Sequence, residues 1–285
     1  MYGFEWDGAH RFSDADLDRP CASCGVMVGD HPASQEYCRG SRIRVASPSP
    51  SLVVGQGLKS TRPRVISKTS IPTEFVPRHR NDTSDSLFQP GTTAKASSVP
   101  RRFINQDNPN EFLIYTDGCC LNNGQANPRA GCSAVFRPPT QTRQYYGRMS
   151  FALENRGPTG EPHPQTSNRA ELRAVIAALR LRSWAGEGFC SLVIATDSTY
   201  VVKGSTDWVW SWMHYDWETR AGTPVKNQDL WLCLFAEIEK ARRSRLSIKF
   251  WHIPRGWNEV ADFYAKEGAE TERRDRFTDL VSPKD

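Results

Sequence analysis

From about residue 108 onward the chain alternates between short apolar runs and longer stretches with helical spacing. Phe112, Leu113, Ile114 and Tyr115 form one run, closed by Thr116 and Asp117. Leu192, Val193, Ile194 and Ala195 form another, closed by Thr196 and Asp197. Uninterrupted runs of this kind predict strands buried on both faces, here over 111–117 and 191–197. Further strands are predicted over 131–138, 142–151 and 246–254, and the short connections among the first three predict an antiparallel meander. Between 166 and 184, Ala170, Val175, Ala178, Leu179 and Leu181 recur at helical spacing. A strand–helix–strand crossover normally pairs its strands in parallel. Helices are also predicted over 198–214, 228–244 and 258–269. The fold class is therefore α/β, a five-stranded mixed sheet with helices packed on it.

The chain before residue 108 has a different texture. Residues 41–107 are rich in Ser, Pro, Thr, Arg and Lys without a long apolar periodicity, which predicts a disordered basic linker. Residues 1–40 form a small cysteine-bearing segment, 108–270 a packed domain and 271–285 a tail. A chain starting near residue 105 is expected to fold by itself. Cys21, Cys24, His31 and Cys38 offer the number of soft or borderline ligands that a structural zinc needs, although the spacing is not that of a standard zinc finger. Cys119, Cys120, Cys132, Cys190 and Cys233 read as small buried apolar residues.

Composition narrows the class of protein. The mean hydropathy of −0.59 is low for a chain packed throughout its 285 residues. The net charge of +5 mildly favours a polyanionic partner. No apolar run reaches the roughly 18 residues that a membrane-spanning helix needs. The first 20 residues lack the apolar core of a signal peptide and are too acidic for a mitochondrial presequence, so the nucleus or cytoplasm is expected.

The acids carry the chemistry. If the 111–117 and 191–197 strands are central and parallel, Asp117 and Asp197 emerge at one sheet edge, where ligand sites of open α/β sheets form. Glu171 lies early in the 166–184 helix among apolar neighbours, and Asp262 lies one turn into the last helix. Four convergent carboxylates repel one another, and a hard divalent cation, magnesium or manganese, resolves that repulsion.

The segments "YTDG" (Asp117), "NRAEL" (Glu171), "ATDS" (Asp197) and "NEVAD" (Asp262) closely resemble the four motifs of type 1 ribonuclease H, in a eukaryotic, fungal-like form, over about residues 108–270. The resemblance extends to "TDGCCLNNGQANPRAG" and to a helical handle, "TDWVWSWMHYDWETRAGTPVKNQDLW". It implies a ribonuclease H-like fold with helices on both faces, and endonucleolytic hydrolysis of the RNA strand of RNA–DNA hybrids by a monomer. It also implies two Mg2+ or Mn2+ ions, with Asp117 bridging both, Glu171 and Asp197 completing one side and Asp262 the other. By motif position, Asn123, Asn168, Gln165 and the Cys119–Cys120 backbone match contacts to RNA 2′-hydroxyls. Thr166 and Asn227 match a pocket for a DNA phosphate; Tyr200, Trp208 and Trp212 match an aromatic channel. The sequence departs from the family at Pro164, where an arginine often stands, and in the short loop "IPRGWNE", which lacks the histidine of many relatives and carries Arg255. His252 lies earlier, in a strand, where apolar neighbours predict a packing role. A second reading is a nucleic-acid-binding protein whose nuclease-like domain cuts weakly or not at all; the complete acid set weighs against it.

Overall fold

The computed structural model describes residues 71–92, 101–139 and 146–280. The candidate zinc ligands Cys21, Cys24, His31 and Cys38 lie outside the described residues. The five predicted strands are present as β4 (Asn108–Leu121), β5 (Arg129–Arg137), β6 (Gly147–Ala152), β7 (Ser191–Thr196) and β8 (Ser247–His252). β4, β5 and β6 form the antiparallel meander, and β7 lies parallel to both β4 and β8. The first helix, α2 (Ser167–Arg180), is capped by the Thr166 hydroxyl, which accepts from the Arg169 backbone N–H.

Alternation along the strands explains why their apolar runs are continuous. Phe112, Ile114, Leu192, Ile194, Ile248 and Phe250 face α2 and α5 (Gln228–Arg243) in the larger core. Leu113, Tyr115, Val193, Ala195 and Trp251 face the opposite way and meet Ala261 and Tyr264 of α6 (Glu259–Glu270). With both faces covered, neither parity is free to be polar. Close backbone approach helps here: a Cβ on Gly131 of β5 would lie 2.2 Å from the Ala265 carbonyl oxygen and the Ala269 nitrogen of α6.

Residues 71–92 and 101–105 overturn the linker reading for that stretch. β1 (Thr73–Glu74) pairs in parallel with β8 at one edge of the sheet. α1 (Ser84–Leu87) then leads into β2 (Phe88–Gly91), which pairs with β3 (Arg102–Asn105), and β3 pairs with the first half of β4. Among the described residues the sheet thus has eight strands. The segment crosses the second face on the way, where the Phe75 and Phe88 rings lie 4.9 and 6.1 Å from Trp251. These strands are short and half polar, so composition averaged over the segment hides them.

Residues 271–280 likewise pack on the domain. Leu280 is buried and Phe277 rests on the larger core. Arg173, buried and paired with Glu154 at 2.7 Å, donates to the Thr278 carbonyl at 2.6 Å and stacks over Phe277. The helix read as continuous over 198–214 is interrupted: a π turn, Gly204–Trp208, separates α3 (Thr199–Lys203) from α4 (Val209–His214). Among the described residues no helix is long and apolar enough to cross a membrane.

The boundary is therefore expected before residue 105, with residues 71–92 and 101–105 inside the folded unit. A chain starting at 105 loses Phe88, Phe103 and Ile104 from the cores and uncovers Leu113, Tyr115 and Trp251. Each buried side chain of this size is worth about 2–5 kcal/mol, against a usual net stability of roughly 5–15 kcal/mol. The 105–285 chain should be unfolded or aggregated and the 71–285 chain folded. Circular dichroism melts and size-exclusion chromatography distinguish the two; a cooperative melt of the shorter chain would refute the boundary.

Candidate active site

β4 and β7 pair in register from Glu111 with Ser191 to Tyr115 with Ala195. Asp117 and Asp197 each stand two residues beyond that last pair, at the same edge of the sheet. Glu171 is brought to this edge by Gly118. A Cβ there would lie 2.0 Å from the Glu171 nitrogen and 2.2 Å from the Ala170 carbonyl carbon, so only glycine lets α2 lie directly on β4 beside Asp117. α6 delivers Asp262 from the other face.

The four acids sense one another. Asp117 is buried, and its carboxyl is pushed up from the ordinary 3.8 to about 8, first by burial and then by the charges of Asp197, Asp262 and Glu171. Glu171 is pushed up from 4.5 to about 7, mainly by burial, with the Ser198 hydroxyl bond opposing the rise. Three of the acids also have their own polar side-chain neighbours. Ser198 Oγ donates to Glu171 at 2.5 Å, and Asn258 Nδ2 donates to Asp197 Oδ1 at 2.8 Å. Asp262 pairs with Arg255 at 3.2 Å and with Lys266. Among the described residues, no group of three or more His, Cys, Asp or Glu side chains already stands in the geometry of a formed metal site. As a donor set the acids nonetheless fit a hard divalent cation, because a positive charge offsets both the burial and the mutual repulsion that push the Asp117 carboxyl up.

The remaining predicted residues surround this edge. Cys119 and Cys120 are half-buried on β4 beyond Asp117, and Asn123 and Asn168 are exposed at the adjoining turn and at the start of α2. Gln165 is buried: its Oε1 accepts from the Ala130 N–H at 3.2 Å, and its Nε2 donates to the Glu154 carbonyl at 3.1 Å. Its side chain thus ties β5 to the approach to α2. Thr166 and Asn227 converge on Arg169, whose guanidinium donates to Asn227 Oδ1 at 3.3 Å and bidentately to Asp229.

In the aromatic row Tyr200 and Trp208 lie 6.2 Å apart, and Trp208 and Trp212 6.1 Å apart. Trp208 is 38% exposed, whereas Trp212 is only 9% exposed, packed on Trp217 and Trp231. Trp208 therefore presents a ring to solvent and Trp212 supports it. The Tyr200 hydroxyl accepts from Asn227 Nδ2 and Trp231 Nε1 and donates to the Lys226 carbonyl, which links this row to Asn227.

Three expectations change. His252 is exposed rather than packed: as the last residue of β8, its Nε2 lies 3.1 Å from Thr199 Oγ1 and 3.2 Å from the Asp197 carbonyl. Cys190 is exposed and Cys119 and Cys120 are half-buried, so only Cys132 and Cys233 of that group are buried. Asn258, buried against Asp197, was missed, although it opens the same "NEVAD" segment that supplies Asp262.

Comparison with known proteins places this geometry. The RNase H family model matches residues 109–270. Ribonuclease HI of Haemophilus influenzae is 35% identical over 162 residues, which cover 57% of this chain and 92% of that protein. Ribonuclease H of Treponema pallidum subsp. pallidum is 37% identical over 164 residues, covering 55% and 90% respectively. Among solved structures, LC9-RNase H1, a type 1 RNase H with the type 2 active-site motif, is 26% identical with a TM-score of 0.37, covering 61% of this chain and 74% of that one.

The repulsion has a measurable sign. Asp117 and Glu171 hold their protons to higher pH in the fold than in the unfolded chain, so the folded state binds more protons between about 4 and about 8. Their contribution to stability therefore falls as pH rises through that window and levels off above it. In EDTA, Asp117→Asn should melt several degrees above the parent at pH 8, with the difference vanishing toward pH 4. Identical melting profiles at all pH values would show that Asp117 carries no such strain.

Proposed function

This chain belongs to the RNase H family, and we propose that it cuts within the RNA strand of RNA–DNA hybrids with the help of two divalent cations, magnesium or manganese, held by Asp117, Glu171, Asp197 and Asp262. The observation that carries this reading is the buried Asp117 carboxyl, pushed up to about 8 beside three further acids. A side chain placed at that cost within the buried stretch of β4 suits a cation rather than a cap or a surface charge. When bound, such cations activate a water and offset charge on the attacking and leaving oxygens.

The protein's own groups supply position. β4 fixes Asp117, and Ser198 orients Glu171 from the N-cap position of α3. The exposed Asn123 and Asn168, with the Cys119–Cys120 backbone, flank the acids where an RNA strand presents its 2′-hydroxyls. Thr166, at the N-terminus of α2, and Asn227 suit a phosphate of the DNA strand. The Trp208 face, with Tyr200 beside it, suits stacking along that strand.

Cleavage of an end-labelled RNA–DNA hybrid with magnesium, set beside duplex DNA and duplex RNA, tests the reading. Only the hybrid should be cut. Asp117→Asn should lower kcat at least ~10³-fold, about 4 kcal/mol, with hybrid affinity largely kept. Parental turnover by that variant would overturn the assignment, and hybrid binding without cleavage by the parent would favour a binding protein instead.

Arg255 supplies a second prediction. It and Lys266 compete with a cation for Asp262. The Arg255 side chain is 76% exposed, so the pair is worth under ~1 kcal/mol. Arg255→Ala should therefore lower the magnesium concentration for half-maximal cleavage by about two- to fivefold. An unchanged or increased requirement would argue that Arg255 does not compete at this acid.

A further inference from the structure

Asn258 is 1% exposed and precedes α6. Its side-chain Nδ2 donates to Asp197 Oδ1 at 2.8 Å and to the Thr116 carbonyl at 3.1 Å. Thr116 adjoins Asp117 just past the last β4 residue paired with β7, and Asp197 follows the end of β7. The Asn258 backbone carbonyl accepts the Asp262 N–H at 2.9 Å, opening the helix that carries that acid. One residue thus joins three of the four acid-bearing elements.

The orientation of the amide is fixed by what surrounds it. A flipped amide would aim Oδ1 at a carboxylate and a carbonyl, both acceptors only. As placed, both Nδ2 hydrogens are used, while Oδ1 is buried with no hydrogen-bond partner among the described residues. A buried acceptor left unpaired is unfavourable, so the two donated bonds are what retain an asparagine here.

We propose that Asn258 is the positioning residue of the acid cluster: its amide sets the spacing between the ends of β4 and β7 and occupies one oxygen of Asp197, leaving the other for a cation. The catalytic consequence rests on the nuclease reading above; the bridge itself does not. An aspartate at 258 would add a negative charge against Asp197, and an alanine would free that carboxylate to rotate.

The test begins with the full-length, metal-free protein. In nitrogen-15 NMR spectra the Asn258 side-chain NH2 should give two well-separated protons protected from solvent exchange. In Asp197→Ala one of them should shift and lose its protection. This measurement needs no substitution at the buried site. In parallel, Mn2+ binding without nucleic acid is followed by isothermal titration calorimetry. Asn258→Ala should weaken it by about tenfold or more, the scale of losing a partner that orients a ligand. In an Asp197→Ala background the same change should have no further effect. With hybrid, kcat should fall by at least about tenfold while KM stays within about twofold. An NH2 pair indifferent to Asp197→Ala, or an equal loss of Mn2+ affinity in both backgrounds, would overturn the proposal. Failure of the parent to cut hybrid would instead sink the nuclease reading and leave the NMR and Mn2+ results interpretable.

Discussion

The parallel pairing of β4 with β7 is the constraint on which the site depends. Its register puts Asp117 and Asp197 the same distance past their last paired residues, so two like charges are fixed side by side. A slip by one residue would move every side chain of one strand to the other face. It would bury the acid under a helix and bring Thr116 or Thr196 to the edge. The register is locked because both strands are apolar on both faces, leaving no polar-in arrangement of comparable energy. Glycine at 118 of β4 and at 131 of the neighbouring β5 then lets one helix from each side come down onto the sheet at backbone distance.

The segments outside the five strands serve the same rigidity. Residues 71–92 begin at the β8 edge and lie against the second face, and residues 101–105 pair with β4, so the smaller core is closed by chain that precedes it. Residues 271–280 are drawn onto the larger core by Arg173 and Arg180, which hold Thr278 and Asp279. Buried ion pairs such as Arg173–Glu154 add little net stability over an apolar pair, but removing one partner leaves a buried charge uncompensated. Their effect here is to specify where the C-terminal residues lie.

Much of this was legible in the sequence. The runs ending in Asp117 and Asp197, and the helical spacing from Ala170 to Leu181, gave the strands, the crossover and their order. The acids were legible because a carboxylate at the end of an apolar run has no packing role. The additional strands were not: Thr73–Glu74 has two residues, both exposed, and Phe88–Gly91 contains Pro90 and Gly91, which read as a turn. Trp251 and Phe75 sit far apart in sequence, and nothing local announces their contact. His252 was misread because the strand's apolar neighbours conceal that its last residue has passed the packed layers. Asn258 was missed because an asparagine before a helix reads as a cap, and here it caps nothing with its side chain.

The use of the Asn258 side chain shows how the site is organised. A capping asparagine would spend its side chain on the backbone of its own helix; Asn258 turns it toward two other elements instead. Ser198 does both: its hydroxyl accepts from the Val201 N–H and donates to Glu171. Asp262 has only exposed or partly exposed cations for neighbours. The acids are therefore graded in restraint. Asp117 is fixed by its strand, Asp197 and Glu171 are held by neutral donors from neighbouring elements, and Asp262 is met by competing charges. Neutral donors orient a carboxylate without cancelling its charge, whereas a cation does both. The side formed by Asp117, Glu171 and Asp197 is accordingly the more preorganised half of the cluster, and the Asp262 side is the half most open to exchange with solvent and salt.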